Sequence, residues 1–315
     1  MTQPVNPNSE SRTPKEGRDP KAESHFRLAL KNMQPVYLRV GCARAPFARN
    51  RRAGGGPVDH DVPVLSAHRP DGGPLAVVFG YACHNLTLQP TFCAYHGDYA
   101  GAAQKSLEEK FPGCTTLFVA GAGADQDPAP RGTLEFTAKH GADLAAAVAA
   151  ALGDADRIVA PKLCVVSESV ALDLQPLPPR EKLEADLAST DAPLRRKAAF
   201  LIDAIERGVA LASTQDCPVQ VIRLGGEVLL IALGGEPVAD YALQFKRDFA
   251  GPLVWVAGYS NDLFGYLPTR RVQQEGGYES GRAALWSALP GPVAETTEER
   301  VVEAVRRMVR QSCLR

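Results

Sequence analysis

No apolar run in the 315 residues approaches the roughly 18–20 that a membrane-spanning helix needs. Charge of one sign is also lacking: 35 Lys+Arg stand against 36 Asp+Glu, a formal net charge of −1. A broad surface for nucleic acid or for an anionic membrane is therefore not expected, and a local patch is all the balance leaves room for. The seven cysteines are scattered, odd in number and never spaced C-x-x-C. That argues against a disulfide framework and against a structural zinc module, and it predicts free thiols in a reducing compartment. Cys83-His84 with Cys93 and His96 is the one thiol and imidazole cluster. It matches no structural zinc spacing and reads as small buried hydrophobes beside a strand. There is no G-x-S-x-G elbow, no H-E-x-x-H, no P-loop lysine and no internal repeat.

The opening MTQPVNPNSESRTPKEGRDPKAES has no apolar h-region, so the chain as written is expected to carry no secretory signal. Residues 1–25 are polar and proline-rich and read as a disordered tail or a wrongly assigned start. Residues 26–315 show no composition shift that demands a second domain. With 45% hydrophobic residues they can bury a core without disulfides or a structural metal.

From Val62 onward, short β-branched runs alternate with stretches of helical periodicity. Strands are expected over Val62–Ala67, Leu75–Tyr81, Thr115–Ala120, Lys162–Leu172, Val219–Leu224, Val228–Leu233 and Leu253–Gly258. Helices are expected over Tyr99–Lys110, Thr133–Leu152, Arg180–Ser189, Pro193–Ser213, Glu236–Phe249 and Glu295–Arg310. The alternation predicts an α/β layered domain with a mixed, largely parallel sheet flanked by helices. Gly153–Ala160 and Gln175–Pro179 read as turns bracketing an edge strand.

Four apolar runs end in polar, glycine-containing loops. Leu75–Cys83 runs into His84-Asn85. Thr115–Ala120 runs into Gly121-Ala122-Gly123-Ala124-Asp125-Gln126-Asp127-Pro128. Val228–Leu233 runs into Gly234-Gly235-Glu236, and Leu253–Ala257 into Gly258-Tyr259-Ser260-Asn261-Asp262, then Tyr266. Ligands of open α/β sheets bind outside the carboxyl ends of strands. If these strands lie side by side, His84, Asp125, Asp127, Glu236, Asn261 and Tyr266 share one cleft, and an imidazole with carboxylates and a phenol suits a zinc or hard-metal shell. Each residue also has a plainer reading. His84 could be a structural histidine, Glu236 could complement a helix dipole, Asp125 and Asp127 could form turns, and Tyr266 and Tyr278 could be half-buried aromatics. Gly121-Ala122-Gly123 is no dinucleotide loop, because Gln126 stands at the third glycine position and Pro128 follows. The basic, glycine-rich Arg49–Pro57 segment reads as a solvated connection or as a loop that touches a ligand.

Taken in order, these segments resemble the neutral/alkaline non-lysosomal ceramidase family, from about Arg49 to near Arg310. Phe79–Thr87 resembles the strand that carries a zinc-ligating His, followed by Gly97-Asp98. Gly123–Pro128 resembles the G-D-x-S-P motif, and Ala232–Glu236 the P-G-E segment that supplies a zinc-ligating Glu. Gly258–Asn261, Gly265-Tyr266 and Gly277-Tyr278-Glu279 resemble the G-Y-A-N … G-Y … R-Y-E-G stretch, with Tyr266 and Tyr278 twelve residues apart. Asn50-Arg51 is similar to the N-R of N-R-S-P, a substrate-side position. The departures are an H-x-H-S-G-P segment, which has no counterpart here, the family serine, which is Asp127, and the C-terminal β-sandwich. The chain thus resembles a divergent bacterial-type, N-terminally incomplete member.

The resemblance implies a hydrolase that cleaves the N-acyl amide of a sphingoid-type lipid with a metal-activated water. Metal ligands would be His84, Glu236 and Tyr266, with zinc the implied cofactor and magnesium or calcium as alternatives. Tyr278 would stabilise the oxyanion, and Asp127 would act as general base or as a fourth ligand in place of the missing His, with Asp125 beside it. Arg51 and Asn261 would meet the substrate. The expected partner is a small-molecule or lipid amide, without nucleic acid or a transmembrane segment. As written the chain reads as cytoplasmic, whereas the family is commonly secreted. Two alternatives stand beside this: a non-catalytic ceramidase-like remnant or binding protein, and a metal-dependent hydrolase of another amide or ester.

Overall fold

The structure is a computed structural model that describes residues 20–70, 72–153 and 157–313, with the side chains of 20–23 left aside. The chain forms two compact units, Met1–Val36 and Tyr37–Arg315. Within the first, helix α1 (Pro20–Lys31) carries Phe26, Leu28 and Leu30 exposed. The tail expected over 1–25 lies outside the described residues up to 19; from Pro20 the chain is helical.

The second unit holds two larger sheets and two short two-stranded ones. In its first half come β1 (Tyr37–Arg44), β2 (Ala48–Asn50), β3 (Asp61–His68), β4 (Pro74–Tyr81), α2 (Asp98–Lys110), β5 (Thr115–Ala120), β6 (Gln126–Pro128), α3 (Leu134–Gly153) and β7 (Arg157–Ile158). Five of these strands form a sheet in the order β5-β4-β3-β1-β7. Its core joins Val62, Val64, Val77 and Phe79 to Tyr99, Leu107, Leu144 and Val148 of α2 and α3. In the second half come β8 (Leu163–Asp173), α4 (Arg180–Leu187), α5 (Ala192–Glu206), β9 (Thr214–Leu224), β10 (Val228–Leu233), β11 (Glu236–Pro237), α6 (Ala239–Asp248), β12 (Leu253–Ala257), β13 (Tyr266–Leu267), α7 (Arg270–Glu275), a 3₁₀ turn (Arg282–Trp286) and α8 (Thr297–Cys313). The second sheet runs β12-β10-β9-β8, with β8 the edge strand that its bracketing turns suggested. Tyr241 and Phe245 of α6 and Val301, Val305 and Met308 of α8 pack on Val221, Leu229, Ile231 and Val256.

The layered α/β class with mixed sheets is as expected. Within the two larger sheets parallel pairing is narrower: β4 with β5 and β10 with β12 run parallel, while β1/β3, β3/β4, β1/β7, β8/β9 and β9/β10 are antiparallel. The connections follow this division in part. Each of these two parallel pairs is joined across one helix, α2 or α6; β8 and β9, with the two helices α4 and α5 between them, are antiparallel, and the residues between β9 and β10 are a tight turn. The two parallel pairs are also the strands whose carboxyl ends carry the chemistry. They meet end to end: Gly121, just past β5, bridges Ala257 at the end of β12, and Gly258 N–H donates to Ala120 at 3.0 Å. One site can therefore draw on four strand ends that belong to two sheets.

Candidate active site

Close backbone approach brings the four ends together. A Cβ on Gly123 would lie 2.3 Å from the Ala82 carbonyl carbon, so the glycine lets the loop after β5 press on the end of β4. The Gly121-Ala122-Gly123 run thus serves strand packing. Gly235 has φ +68°, and a side chain there would meet the Gly265 carbonyl oxygen at 2.7 Å. This turn sends the chain from β10 into β11, where Glu236 pairs in parallel register with Tyr266. The helix expected to open at Glu236 begins instead at Ala239, because residues 236–237 take up this strand pairing with β13. The dipole-complementing reading of Glu236 falls with it.

His84 follows β4 and is held at both ends. Its N–H donates to the Gln126 carbonyl at 2.9 Å, and its Nε2 lies 2.8 Å from the Ala124 carbonyl oxygen. A carbonyl only accepts, so Nε2 carries the proton and the Nδ1 lone pair faces the pocket. Burial, and then the Arg51 charge, push the imidazole toward its neutral form. The Tyr259 hydroxyl lies 3.3 Å from Nδ1 and 3.2 Å from Glu236 Oε2. Tyr259 has φ +55°, a left-handed backbone that is uncommon for a bulky aromatic. Burial and the Glu236 charge push the Tyr259 and Tyr266 phenols well above the ordinary tyrosine range.

Arg51 links this pocket to an open cleft of about 860 Å³, whose walls include Arg51, Leu86, Asp127, Arg131 and Tyr278. Its Nη2 donates to the Tyr266 hydroxyl at 3.1 Å, its Nη1 to Asp127 at 3.2 Å and its Nε to Glu279 at 2.9 Å. The guanidinium also lies 5.9 Å from the Tyr266 ring centre and 5.4 Å from that of Tyr278, and the two rings meet edge to face at 5.5 Å. Behind it, Arg52 donates to Glu279 at 2.7 Å, to Glu275 at 3.1 Å and to the Val272 and Gly276 carbonyls. Residues 51–55 of the basic loop thus form part of the cleft wall.

The other sequence-predicted residues divide. Asp127 lies on the cleft, but Arg51 takes its Oδ1 and Arg131 its Oδ2, the latter at 2.6 Å. Each oxygen keeps a further lone pair, but both lie against guanidinium groups. Asp125 is fully buried and turned away: Oδ1 accepts from the Ala239 N–H at the start of α6 at 2.9 Å, and Oδ2 from Asn50 at 2.7 Å. Burial raises its carboxyl above the usual range. Asn261 is exposed and donates to Gln220 at 3.1 Å. Asp98 accepts from the Leu88 and Tyr99 N–H groups, and the Tyr99 hydroxyl donates to the Cys83 carbonyl at 2.6 Å, which secures the chain on either side of the His84 loop. Sequence reasoning missed Tyr259, Arg52, Arg131 and Glu279. Tyr259 was open to the strand-end rule, since it follows β12 by one residue beyond Gly258; Glu279 lay in the quoted Gly277-Tyr278-Glu279 motif and Arg52 in the basic loop, and Arg131 carries no local signal.

The donor set can be tested against a metal. Among the described residues no group of three or more His, Cys, Asp and Glu is set to hold an ion. Only His84 and Glu236 are of those types in the pocket; the remaining oxygens are phenolic. An imidazole fixed through its second nitrogen by a backbone carbonyl, beside a carboxylate and phenols, still suits zinc in donor chemistry. Arg51 brings positive charge near, but Asp127 and Glu279 answer it.

No protein-family model matches the chain, and no curated protein sequence is similar to it. Solved structures do match. One is the neutral ceramidase from Pseudomonas aeruginosa, with a TM-score of 0.58 and 19% identity over 81% of this chain and 50% of that one. Another is a ceramidase complexed with C2, with a TM-score of 0.62 and 16% identity over 90% of this chain and 55% of that one. The chain spans about half the length of each. It has the fold found over that half of the neutral ceramidases.

Proposed function

We propose that the chain is a ceramidase-like amidohydrolase that cleaves the N-acyl amide of a sphingoid-type lipid. One observation carries the reading: His84, Glu236 and Tyr259 converge from just past β4, β10 and β12, with Tyr266 on β13 beside Glu236, and connect through Arg51 to a cleft that Tyr278 lines. His84, Glu236 and Tyr266 would hold zinc, with magnesium or calcium as the alternatives. A metal bound there supplies an acidified water near neutral pH and polarisation of a carbonyl. The protein's own share follows from its contacts. His84 presents a neutral nitrogen because Ala124 fixes its tautomer. Arg51, braced by Asp127 and Glu279, fixes both tyrosine rings against its guanidinium plane. Tyr278 stands on the cleft wall and offers its hydroxyl to the oxygen on which charge develops. Asp127 and Arg131 form the polar side on which a substrate hydroxyl or amine would rest.

A second reading, a hydrolase of a shorter amide or ester, has one observation in its favour. Of the described residues lining the cleft, six carry charge, Arg51, Arg52, Asp127, Arg131, Glu275 and Glu279, and Leu86, Ala53 and Tyr278 are the only uncharged side chains beside glycine. The deciding experiment incubates the full chain with zinc, magnesium or calcium and a series of N-acyl sphingoid bases from short to long acyl chains. Release of free amine, absent in Glu236→Ala, is the expected result. Release confined to the shortest amides favours the second reading. No release under any condition would overturn both and leave a non-catalytic ceramidase-like protein.

A further inference from the structure

We propose that Tyr259 is itself a metal ligand, so that the site is built from one imidazole, one carboxylate and two phenols: His84, Glu236, Tyr266 and Tyr259. This rests on the reading of the pocket as a metal centre, and it concerns a residue that lies outside the three ligands expected from sequence.

The argument begins with hydrogen-bond arithmetic. The Tyr259 hydroxyl has one proton and faces two acceptors, Glu236 Oε2 at 3.2 Å and His84 Nδ1 at 3.3 Å. The Tyr259 oxygen thus lies between two atoms already expected to be ligands, and a cation placed among them takes electron pairs from all three at once. The backbone supplies an independent observation. A tyrosine held at φ +55° costs on the order of 1 kcal/mol or more, and such strain persists where the surroundings over-determine it. The turn that imposes it is bonded on both sides: Tyr259 N–H donates to Gly235 at 2.8 Å, and Ser260 N–H to Leu233 at 3.0 Å. The left-handed step is what aims the ring across the end of β10 toward Glu236 and toward His84, whose ring meets it edge-on at 6.4 Å. A phenol added to the expected three donors also completes the four-coordinate shell that zinc favours.

The test uses the full chain and Tyr259→Phe, which keeps the ring and removes only the hydroxyl. Circular dichroism confirms that each variant folds. Zinc affinity is measured by competition with a chromophoric chelator, and copper(II) serves as a spectroscopic probe because phenolate ligands give it a visible charge-transfer band. The expected result is that Tyr259→Phe weakens zinc by more than the roughly 10–100-fold seen when an outer-shell partner is lost. It should also diminish the copper band, with Tyr266→Phe removing the remainder. Zinc bound by Tyr259→Phe as tightly as by the parent, while Glu236→Ala loses it, would overturn the inference and leave the metal centre standing. A modest loss with an unchanged copper band would reduce Tyr259 to a hydrogen-bond partner and overturn it too. A parent chain that binds neither ion would overturn the metal centre, and this inference with it.

Discussion

Around Arg51 and Arg52 every charge is answered by an opposite charge or a carbonyl, whereas around Tyr259 a single hydroxyl proton faces two acceptors. The first region has side chains between 3% and 21% exposed at Arg51, Arg52, Asp127 and Glu279, and their ion pairs run from 2.7 to 3.2 Å. The second has an imidazole whose burial disfavours its charged form, a carboxylate and a strained tyrosine. Both regions are largely shielded from water, so the difference is one of design. A fully satisfied network holds a single geometry and suits a scaffold for the two cleft tyrosines. The second sets a carboxylate and an imidazole nitrogen against one hydroxyl, an arrangement that a bound cation would compensate.

The comparison breaks most readily at Glu279. Its carboxylate takes Arg51 Nε at 2.9 Å and Arg52 Nη1 at 2.7 Å, and its side chain is 3% exposed. Glu279→Ala leaves two guanidinium groups facing each other with little water. The expected cost is about 3–5 kcal/mol, read as a lower denaturant midpoint at unchanged slope. A loss under about 1 kcal/mol would mean that the answered region is no scaffold.

Asp125 joins the two regions and comes next. It ties Asn50, at the start of the arginine loop, to the first N–H of α6, just past Glu236. Asp125→Ala should cost about 1–3 kcal/mol, because a buried N–H and a buried amide lose their acceptor. The pH dependence has a definite sign. Burial raises this carboxyl, so its contribution is fully present below the unfolded value, about 3.9, and is lost as pH rises through the folded value. Thermal melts should therefore show the parent gaining on Asp125→Asn as pH falls toward 4. A constant difference between the two would remove burial as the cause.

What the sequence made legible follows from which forces are local. The strand of Val228–Leu233 and the helix of Tyr99–Lys110 were readable because apolar spacing records burial directly. Strand β1, Tyr37–Arg44, was not expected, since Arg39, Gly41 and Arg44 break its apolar pattern. The reason for Gly41 lies elsewhere in the chain: a Cβ there would meet the Ala151 carbonyl oxygen of α3 at 2.4 Å. The division into two sheets was hidden for a similar reason. Strand ends alone show that residues converge, and the Gly121 to Ala257 bridge that joins the sheets is a long-range contact. In the site, His84, Glu236 and Tyr266 were legible from strand ends and from family resemblance. The burial of Arg52 was not, because its partners Glu275 and Glu279 lie 223 and 227 residues away. The left-handed backbone of Tyr259 was not, because no glycine or asparagine marks that position.

Glu236→Gln sharpens the contrast from the other side. A glutamine keeps an oxygen for the Tyr259 hydroxyl and removes one surplus acceptor charge. Without metal, stability should change by no more than about 0.5 kcal/mol, while zinc binding measured by chelator competition should be lost. A large destabilisation of the metal-free protein would show that this pocket, too, is a structural network.

Tyr278→Phe should disturb the fold least and therefore isolates chemistry from scaffold. The residue is 41% exposed, and its hydroxyl has no hydrogen-bond partner among the described residues. Its ring does the packing, against Tyr266 at 5.5 Å and Arg51 at 5.4 Å, and phenylalanine keeps both contacts. Stability should thus stay within about 0.5 kcal/mol of the parent. If the hydroxyl stabilises the charge that develops on the amide oxygen, its removal should lower kcat about 100-fold or more. KM should hardly move, because the interaction is made only as that charge appears. A rise in KM at constant kcat would instead make Tyr278 a substrate-binding wall, and the donor to the developing charge would then have to be sought among the cleft's arginines, Arg51, Arg52 and Arg131.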